Sequence, residues 1–187
     1  MLLLLIFLVL SIVLYLSYAS VIKRKNKVLE AFSDIDVQLK KRYDLIPNIL
    51  TLANKFMEHE RSLMEDLTKL RTEVLSVPSN YENIGKKLEL DNEIKNKMQQ
   101  LMVSVENYPQ LKSDQTMITA MQTYNEVEEH IAAARRFFNS AVKDLNNAVE
   151  IFPYSLFAQK IGISTQEFFK AEEVEKQPIN ASDYFKK

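Results

Sequence analysis

Hydrophobic and polar positions follow two different patterns along this chain. Residues 1–22 (MLLLLIFLVLSIVLYLSYASVI) carry no charged side chain and run straight into a basic cluster, KRKNK. About 20 apolar residues suffice to cross a bilayer as a helix, and inside lipid only a helix satisfies its own backbone. Beyond the cluster, seam positions recur in steps of four and three: Val28, Phe32, Ile35, Leu39, Arg42 and Ile46, then Ile49, Ala53, Phe56, Glu60, Leu63, Leu67, Leu70, Val74 and Val77. Such a stripe belongs to a helix with one face in a core. Its phase carries through Pro47, and Ile46-Pro47-Asn48 lacks the residues of a tight turn. The expectation is one long helix kinked at Pro47, where a backbone hydrogen bond is lost. The alternative makes Pro47 the first residue of a new helix.

Val77-Pro78-Ser79-Asn80 reads as a turn, followed by a helix from Tyr81 to Asn107 with a less regular stripe (Ile84, Leu88, Ile94, Met98, Leu101, Val105). A loop from Asn107 to Asp114 leads to the most regular segment. There Met117, Met121, Tyr124, Glu128, Ile131, Arg135, Phe138, Val142, Leu145, Val149 and Phe152 keep the four-three step. A file of small residues (Ala120, Val127, Ala134, Ala141, Ala148) runs beside them and admits a close neighbour. At 1.5 Å per residue this helix is about 57 Å long. Long helices and short loops imply antiparallel neighbours, and the heptad-like repeat implies packing near 20°. The fold class is all-α: an up-and-down antiparallel bundle of three to four long helices behind an N-terminal transmembrane helix. After Pro153, YSLFAQKIG reads as a short helix on the bundle end. Ser164-Thr165-Gln166-Glu167 has the form of a capping box that would start another at FFKAEE. The division along the chain is thus 1–22 anchor, 23–27 basic juxtamembrane segment, 28–163 bundle and 164–187 short helix and tail.

A secretory signal peptide is the chief rival to a retained anchor. Ser17-Tyr18-Ala19 would serve as a cleavage site, but no basic residue precedes the apolar run, and the run exceeds the usual length. Lys23, Arg24, Lys25 and Lys27 follow it at once, with Lys40, Lys41 and Arg42 close behind. By the positive-inside rule the N-terminus faces out and the body is cytoplasmic, a single pass of the cytoplasmic membrane. Tyr15 and Tyr18 fit as interfacial aromatics. The basic cluster would also attract anionic lipid at about 1 kcal/mol per residue.

Composition supports helices throughout. Gly occurs twice, Cys and Trp are absent, and Glu, Lys, Leu, Gln, Met and Ala are all good helix formers. Without Cys there is neither a disulfide nor a thiolate metal site. Of 24 Lys and Arg, four sit in the juxtamembrane cluster, leaving 20 against 25 Asp and Glu. A nucleic-acid binder normally shows a basic face, so no nucleic acid is expected as a partner.

Candidate chemistry is sparse. Glu60, Glu128 and Arg135 interrupt the apolar seams, where a buried polar pair would fix helix register; alternatively the seam rotates there and exposes them. Bundle di-iron sites need Glu-x-x-His on two helices, but Phe56 and Val127 stand three residues before His59 and His130. No Gly-rich phosphate loop, Gly-x-Ser-x-Gly or Cys nucleophile occurs. No cofactor, metal or catalytic residue is expected. The charged runs EHER and KKLELDNEIKNK read as solvated surface.

One segment is dense and unusual: Ile35-Asp36-Val37-Gln38-Leu39-Lys40-Lys41-Arg42-Tyr43-Asp44-Leu45-Ile46-Pro47-Asn48, with His59-Glu60 following. It resembles the LemA family of bacterial membrane-anchored proteins. Ala134-Arg135 with Asn139 is similar to the family's Ala-Arg-x-x-Tyr-Asn, with Phe138 replacing Tyr. Val142 with Asn146 resembles a second repeat, with Leu145 in the Tyr place. Phe152-Pro153, Ala158 and Gly162 complete the pattern. The resemblance implies an anchor, an outside N-terminus and a cytoplasmic helical bundle, with no established molecular activity and no catalytic residues to carry over. Relatives used in building magnetosome membranes imply membrane organisation. Spacing alone raises a contact of Asp36, Arg42 and Asp44, around Pro47, with Arg135.

The functional expectation is a membrane-anchored scaffold or adaptor without enzymatic activity. Residues 2–22 would engage the bilayer, and helical faces would engage unidentified membrane or cytoplasmic proteins or a second copy of the chain. The alternatives are a metal- or ligand-binding bundle, or an exported protein with a cleaved signal.

Overall fold

The computed structural model describes residues 1–80 and 83–169. Among them are six α-helices and no strand. They are α1 (Leu2–Ala53), α2 (Arg61–Ser76), α3 (Ile84–Val105), α4 (Pro109–Lys112), α5 (Gln115–Glu150) and α6 (Tyr154–Lys160), with a 3-10 turn at Glu58–Glu60 before α2. Two compact units form: Asn26–Phe137, and Met1–Lys25 with the described residues from Phe138 onward.

The Asn26–Phe137 unit is an up-and-down four-helix bundle. Asp36 on α1 meets Ser79 beyond the end of α2, while the later Asp44 meets Arg71 within α2, so the two helices run in opposite directions. Asp66 on α2 pairs with Lys97 late in α3, and Ser79 contacts Lys87 early in α3, so these are antiparallel as well. Asp91 on α3 approaches Arg135 while the later Lys95 approaches the earlier Glu128, which sets α5 against α3. The seam residues Ile35, Leu39, Ile46, Ile49, Leu67, Val74, Ile94, Met98, Leu101 and Ile131 are buried. α5 is capped by the preceding Asp114, whose Oδ1 accepts from the backbone N–H of Thr116 at 2.9 Å and Met117 at 3.0 Å, the usual capping of otherwise unpaired N–H groups.

Pro47 neither ends α1 nor starts a new helix, since the helix runs on to Ala53. Proline lacks an N–H and orphans the carbonyl four residues earlier, here that of Tyr43. Nε of Arg71 on α2 donates to that carbonyl at 2.8 Å. The expected continuation to Val77 as one helix is corrected, because the break falls after Ala53. Phe56 N–H bonds to Ala53 O at 3.0 Å and Met57 N–H to the same oxygen at 2.9 Å. This tight turn drops Met57 into the core and reverses the chain without glycine. α3 ends at Val105, short of the expected Asn107, while the expected start at Tyr81 lies outside the described residues. The loop after α3 contains the single turn α4, with Pro109 at its start.

In the other unit, Val21 is fully buried against Ala148 on α5 and Ala158 on α6, with Val149, Tyr154, Phe157 and Ile163 around them. The short helix expected after Pro153 is present as α6. Gly162, at φ 67°, ends it: Ile163 N–H reaches Ala158 O at 2.9 Å and Gly162 N–H reaches Gln159 O at 3.3 Å. This is the Schellman arrangement, in which a left-handed residue closes the helix. The seam of α5 stops short of its expected end, since α5 finishes at Glu150 and Phe152 is 75% exposed.

The capping box at Ser164–Glu167 is corrected too, since these residues lie outside any helix, as do Phe168 and Phe169. The rest of the expected FFKAEE helix lies outside the described residues. Two asparagines on α5 take the backbone groups instead. Asn146 donates to Gln166 O at 2.9 Å and accepts from Gln166 N–H at 2.8 Å. Asn139 does the same to Phe169, at 3.0 and 2.8 Å. Residues 164–169 are thus strapped along α5, and Phe169 packs on Phe138 with ring centroids 4.5 Å apart.

Candidate functional site: a buried charge cluster in the bundle

Arg42 is the largest fully buried side chain of the bundle unit. It sits on the core stripe of α1, so its guanidinium enters the interior. Burying an isolated charge is expensive, and partners must surround it. Nη1 of Arg42 lies 2.8 Å from Oδ1 and 2.7 Å from Oδ2 of Asp91 on α3, a carboxylate as buried as the arginine. Nη2 pairs with Oε2 of Glu128 on α5. Lys95 Nζ approaches Glu128 Oε1 at 3.1 Å, and Arg135 Nη2 approaches Asp91 Oδ2 at 3.5 Å. Three cations and two carboxylates from α1, α3 and α5 therefore form one network, graded from a dry centre at Arg42 and Asp91 to the partly exposed Glu128 and Arg135.

Two tyrosines close the cluster. The guanidinium carbon of Arg42 stands 5.7 Å from the centroid of the Tyr124 ring, within range of a cation–π attraction. The Tyr43 hydroxyl is buried and faces Asp91 without a well-formed hydrogen bond. Burial first, and the Asp91 charge second, drive its pKa well above the ordinary phenol range. Burial also pushes Tyr124 up to about 12, with Arg42 opposing and Asp91 reinforcing. Both phenols stay neutral at physiological pH. Both phenols thus lie within reach of Arg42 and Asp91 without adding a charge to the centre.

The structure sorts the residues expected from sequence. Arg42, Glu128 and Arg135 come together, and all three touch the same cluster. Glu60 is not with them, because the turn after Ala53 places it just before α2. Asp36 forms a separate group, accepting from Lys87 Nζ at 2.5 Å and Ser79 Oγ at 2.8 Å. Asp44 does not meet Arg135; its pairing is with Arg71 at 3.8 Å, largely in solvent. Two residues along a helix turn about 200° about its axis, so Arg42 and Asp44 cannot address the same neighbour. Pro47 borders an open groove of about 1110 Å³ between α1 and α2, lined also by Leu50, Thr51, Arg61, Glu65 and Arg71. In the other unit, Tyr15 and Tyr18 are exposed, Lys23 and Lys25 are exposed, and Arg24 stacks 5.0 Å over the Tyr154 ring. Lys27 belongs to the bundle unit, 5.6 Å from the Phe137 ring.

Asp91 is the residue that the sequence reading missed, together with Lys87. Both lie in KKLELDNEIKNK and both are buried. The signal was available: stepping back from Val105, Leu101, Met98 and Ile94 by the same four-three rule lands on Asp91 and then Lys87. Among the described residues, no three His, Asp or Glu side chains gather in a way that would hold a metal ion.

One helix among the described residues, α1, is long and apolar enough to cross a membrane, with a mean hydropathy of 2.7 over its apolar window. The class is therefore an all-α protein with a membrane-anchoring N-terminal helix and a charge-centred helical bundle. Residues 31–182 match the LemA family, and the chain belongs to that family. Magnetosome proteins MamQ 2 and MamQ 1 of Paramagnetospirillum magneticum (strain ATCC 700264 / AMB-1) are each 24% identical over 175 residues, covering 82% of this chain. The chain spans 64% of the length of these curated relatives. Protein LemA of Metamycoplasma hominis is 21% identical over 159 residues, covering 85% of this chain and 71% of the relative.

Proposed function

We propose that this protein is a membrane-tethered scaffold that organises partner proteins at the bilayer and performs no catalysis itself. The observation that carries this reading is that α1 supplies both the apolar span and the first helix of a bundle whose core is held by the Arg42–Asp91–Glu128 network. A core of paired charges specifies one helix arrangement, and a fixed arrangement presents constant helical faces to partners. Tethering raises the local concentration of whatever those faces hold. Relatives named as magnetosome proteins favour such a structural role. The basic residues Lys23, Arg24, Lys25 and Lys27 favour a cytoplasmic body and an outside N-terminus by the positive-inside rule.

A photo-crosslinking residue at the exposed Val103 or Leu75 tests the adaptor role in native membranes. The full chain is compared with a chain whose residues 2–22 are replaced by an unrelated span. Capture of the same membrane or cytoplasmic protein by both supports the scaffold and places its contact on the bundle. Absence of any reproducible partner from both chains overturns it. For sidedness, a single cysteine at Leu75 in this cysteine-free chain should resist a membrane-impermeant maleimide in intact cells and react after lysis; labelling of intact cells refutes the cytoplasmic body.

A further inference from the structure

The corner between α5 and α6 carries an exposed apolar surface. Phe152 is 75% exposed, Ile151 55% and Leu156 53%. A cluster of large apolar side chains in water marks a contact site. Its position identifies the contact. Within this unit, Ala148 before the corner and Ala158 after it both pack on Val21 of α1, and Arg24 lies over Tyr154. Ser17, one turn earlier on the same face of α1, is buried as well. The corner therefore lies beside residues 17–24, where the apolar span ends and the basic residues begin.

We infer that the α5–α6 corner is a second membrane contact, with Phe152, Ile151 and Leu156 inserted at the boundary between headgroups and acyl chains. This rests on α1 being anchored in the bilayer. A short amphipathic element with apolar residues on one side and cations nearby lies at that depth in a bilayer, and Lys23, Arg24 and Lys25 supply the cations. The span alone would leave the protein free to pivot about one helix. The corner adds a second point of attachment in the same compact unit, and two points fix an orientation against the membrane plane.

The chain has no tryptophan, so a single introduced one reports its own surroundings. Phe152→Trp in the full chain, reconstituted in phosphatidylcholine vesicles, is measured with lipids brominated near the headgroup or near the chain end. Leu156→Trp provides a second reporter should the first fail to fold. Phe7→Trp reports the span, and Lys143→Trp reports an exposed position of α5 away from the corner. Blue-shifted emission, quenched about twofold by the shallow bromines and less by the deep ones, is the expected result at the corner, as for an interfacial helix. Emission of the Lys143→Trp variant should be unaffected. Emission at the corner that resists brominated lipid but yields to aqueous iodide overturns the inference. Shielding from both quenchers also overturns it, since protein rather than lipid then covers the corner. If the Phe7→Trp variant is quenched and the Phe152→Trp variant is not, the corner inference fails alone; if the Phe7→Trp variant is not quenched, the anchoring fails.

Discussion

The backbone carbonyl of Tyr43 accepts a 2.8 Å hydrogen bond from Nε of Arg71 on the neighbouring helix. The helical donor that would have served it is missing because Pro47 has no N–H. Residues on different helices thus complete one turn, and α1 continues through its proline.

That dependence can be measured. Arg71→Ala should cost about 1–3 kcal/mol, the penalty for leaving a polar group without its partner. Pro47→Ala restores an N–H at the right position, so Arg71→Ala in that background should cost clearly less. Urea unfolding of the four variants gives the coupling. Equal costs in both backgrounds would show that Arg71 does not serve the orphaned carbonyl.

At the cluster centre, removing one partner strands the other. Arg42→Ala should destabilise the protein by about 3–5 kcal/mol, as expected when a buried pair is broken from one side. Replacing both members with apolar residues (Arg42→Met with Asp91→Leu) should recover most of that loss. Arg135, which is partly exposed and farther from Asp91, should cost less than Arg42 when changed to Ala. Denaturant midpoints rank the variants, and a loss under about half a kcal/mol at Arg42, the size of an ordinary surface change, would exclude a buried charge there.

Stability should fall at high pH through the tyrosines. The phenol of Tyr124 is raised from 10.0 to about 12 in the folded protein, and that of Tyr43 is raised too. A raised folded pKa means that the unfolded chain loses its proton first. The contribution is therefore whole below pH 10 and is lost as pH climbs towards the folded value, at up to about 1.4 kcal/mol per pH unit for each tyrosine. Tyr43→Phe with Tyr124→Phe should flatten the decline between pH 10 and 12 relative to the unaltered chain. Parallel declines in urea titrations would count against buried neutral phenols.

The strap should be held by amides rather than by side-chain packing alone. Asn146→Ala and Asn139→Ala each remove two hydrogen bonds, worth about 1 kcal/mol apiece. Amide exchange at Gln166 and Phe169 should accelerate accordingly. Asn146→Asp keeps the acceptor for the Gln166 N–H while losing the donor to its carbonyl, so protection at that amide should survive in part. Unchanged exchange in both alanine variants would disprove the clamp.

Much of this architecture was legible because helix periodicity is a strong signal over long segments. The stripes of α1 and α5 named Ile35, Leu39, Phe138 and Leu145 as core, and all are buried. Arg42 fell on a seam position and is buried where the stripe puts it. The reversal after Ala53 was hidden because it uses no glycine and follows a proline that, by sequence, was the more conspicuous candidate. Asp91 and Lys87 were hidden by their company: in a run of charges, a few that point inward look like the rest. The strap was misread for a different reason. Ser164 to Glu167 satisfies a local helix-start rule, but the groups that decide its conformation, Asn139 and Asn146, belong to another helix.

The asparagine pair has a geometric property of its own. Seven residues of helix climb about 10.5 Å, and three residues of extended chain span about 10 Å. A helix bearing amides at heptad spacing is therefore a ruler that matches an extended chain at every third residue. What it grips is the peptide unit, which every sequence shares. The path of residues 164–169 is fixed by α5 through the peptide units, so these hydrogen bonds place no demand on the side chains of Gln166 and Phe169, and the Phe169 ring is spent on covering Phe138.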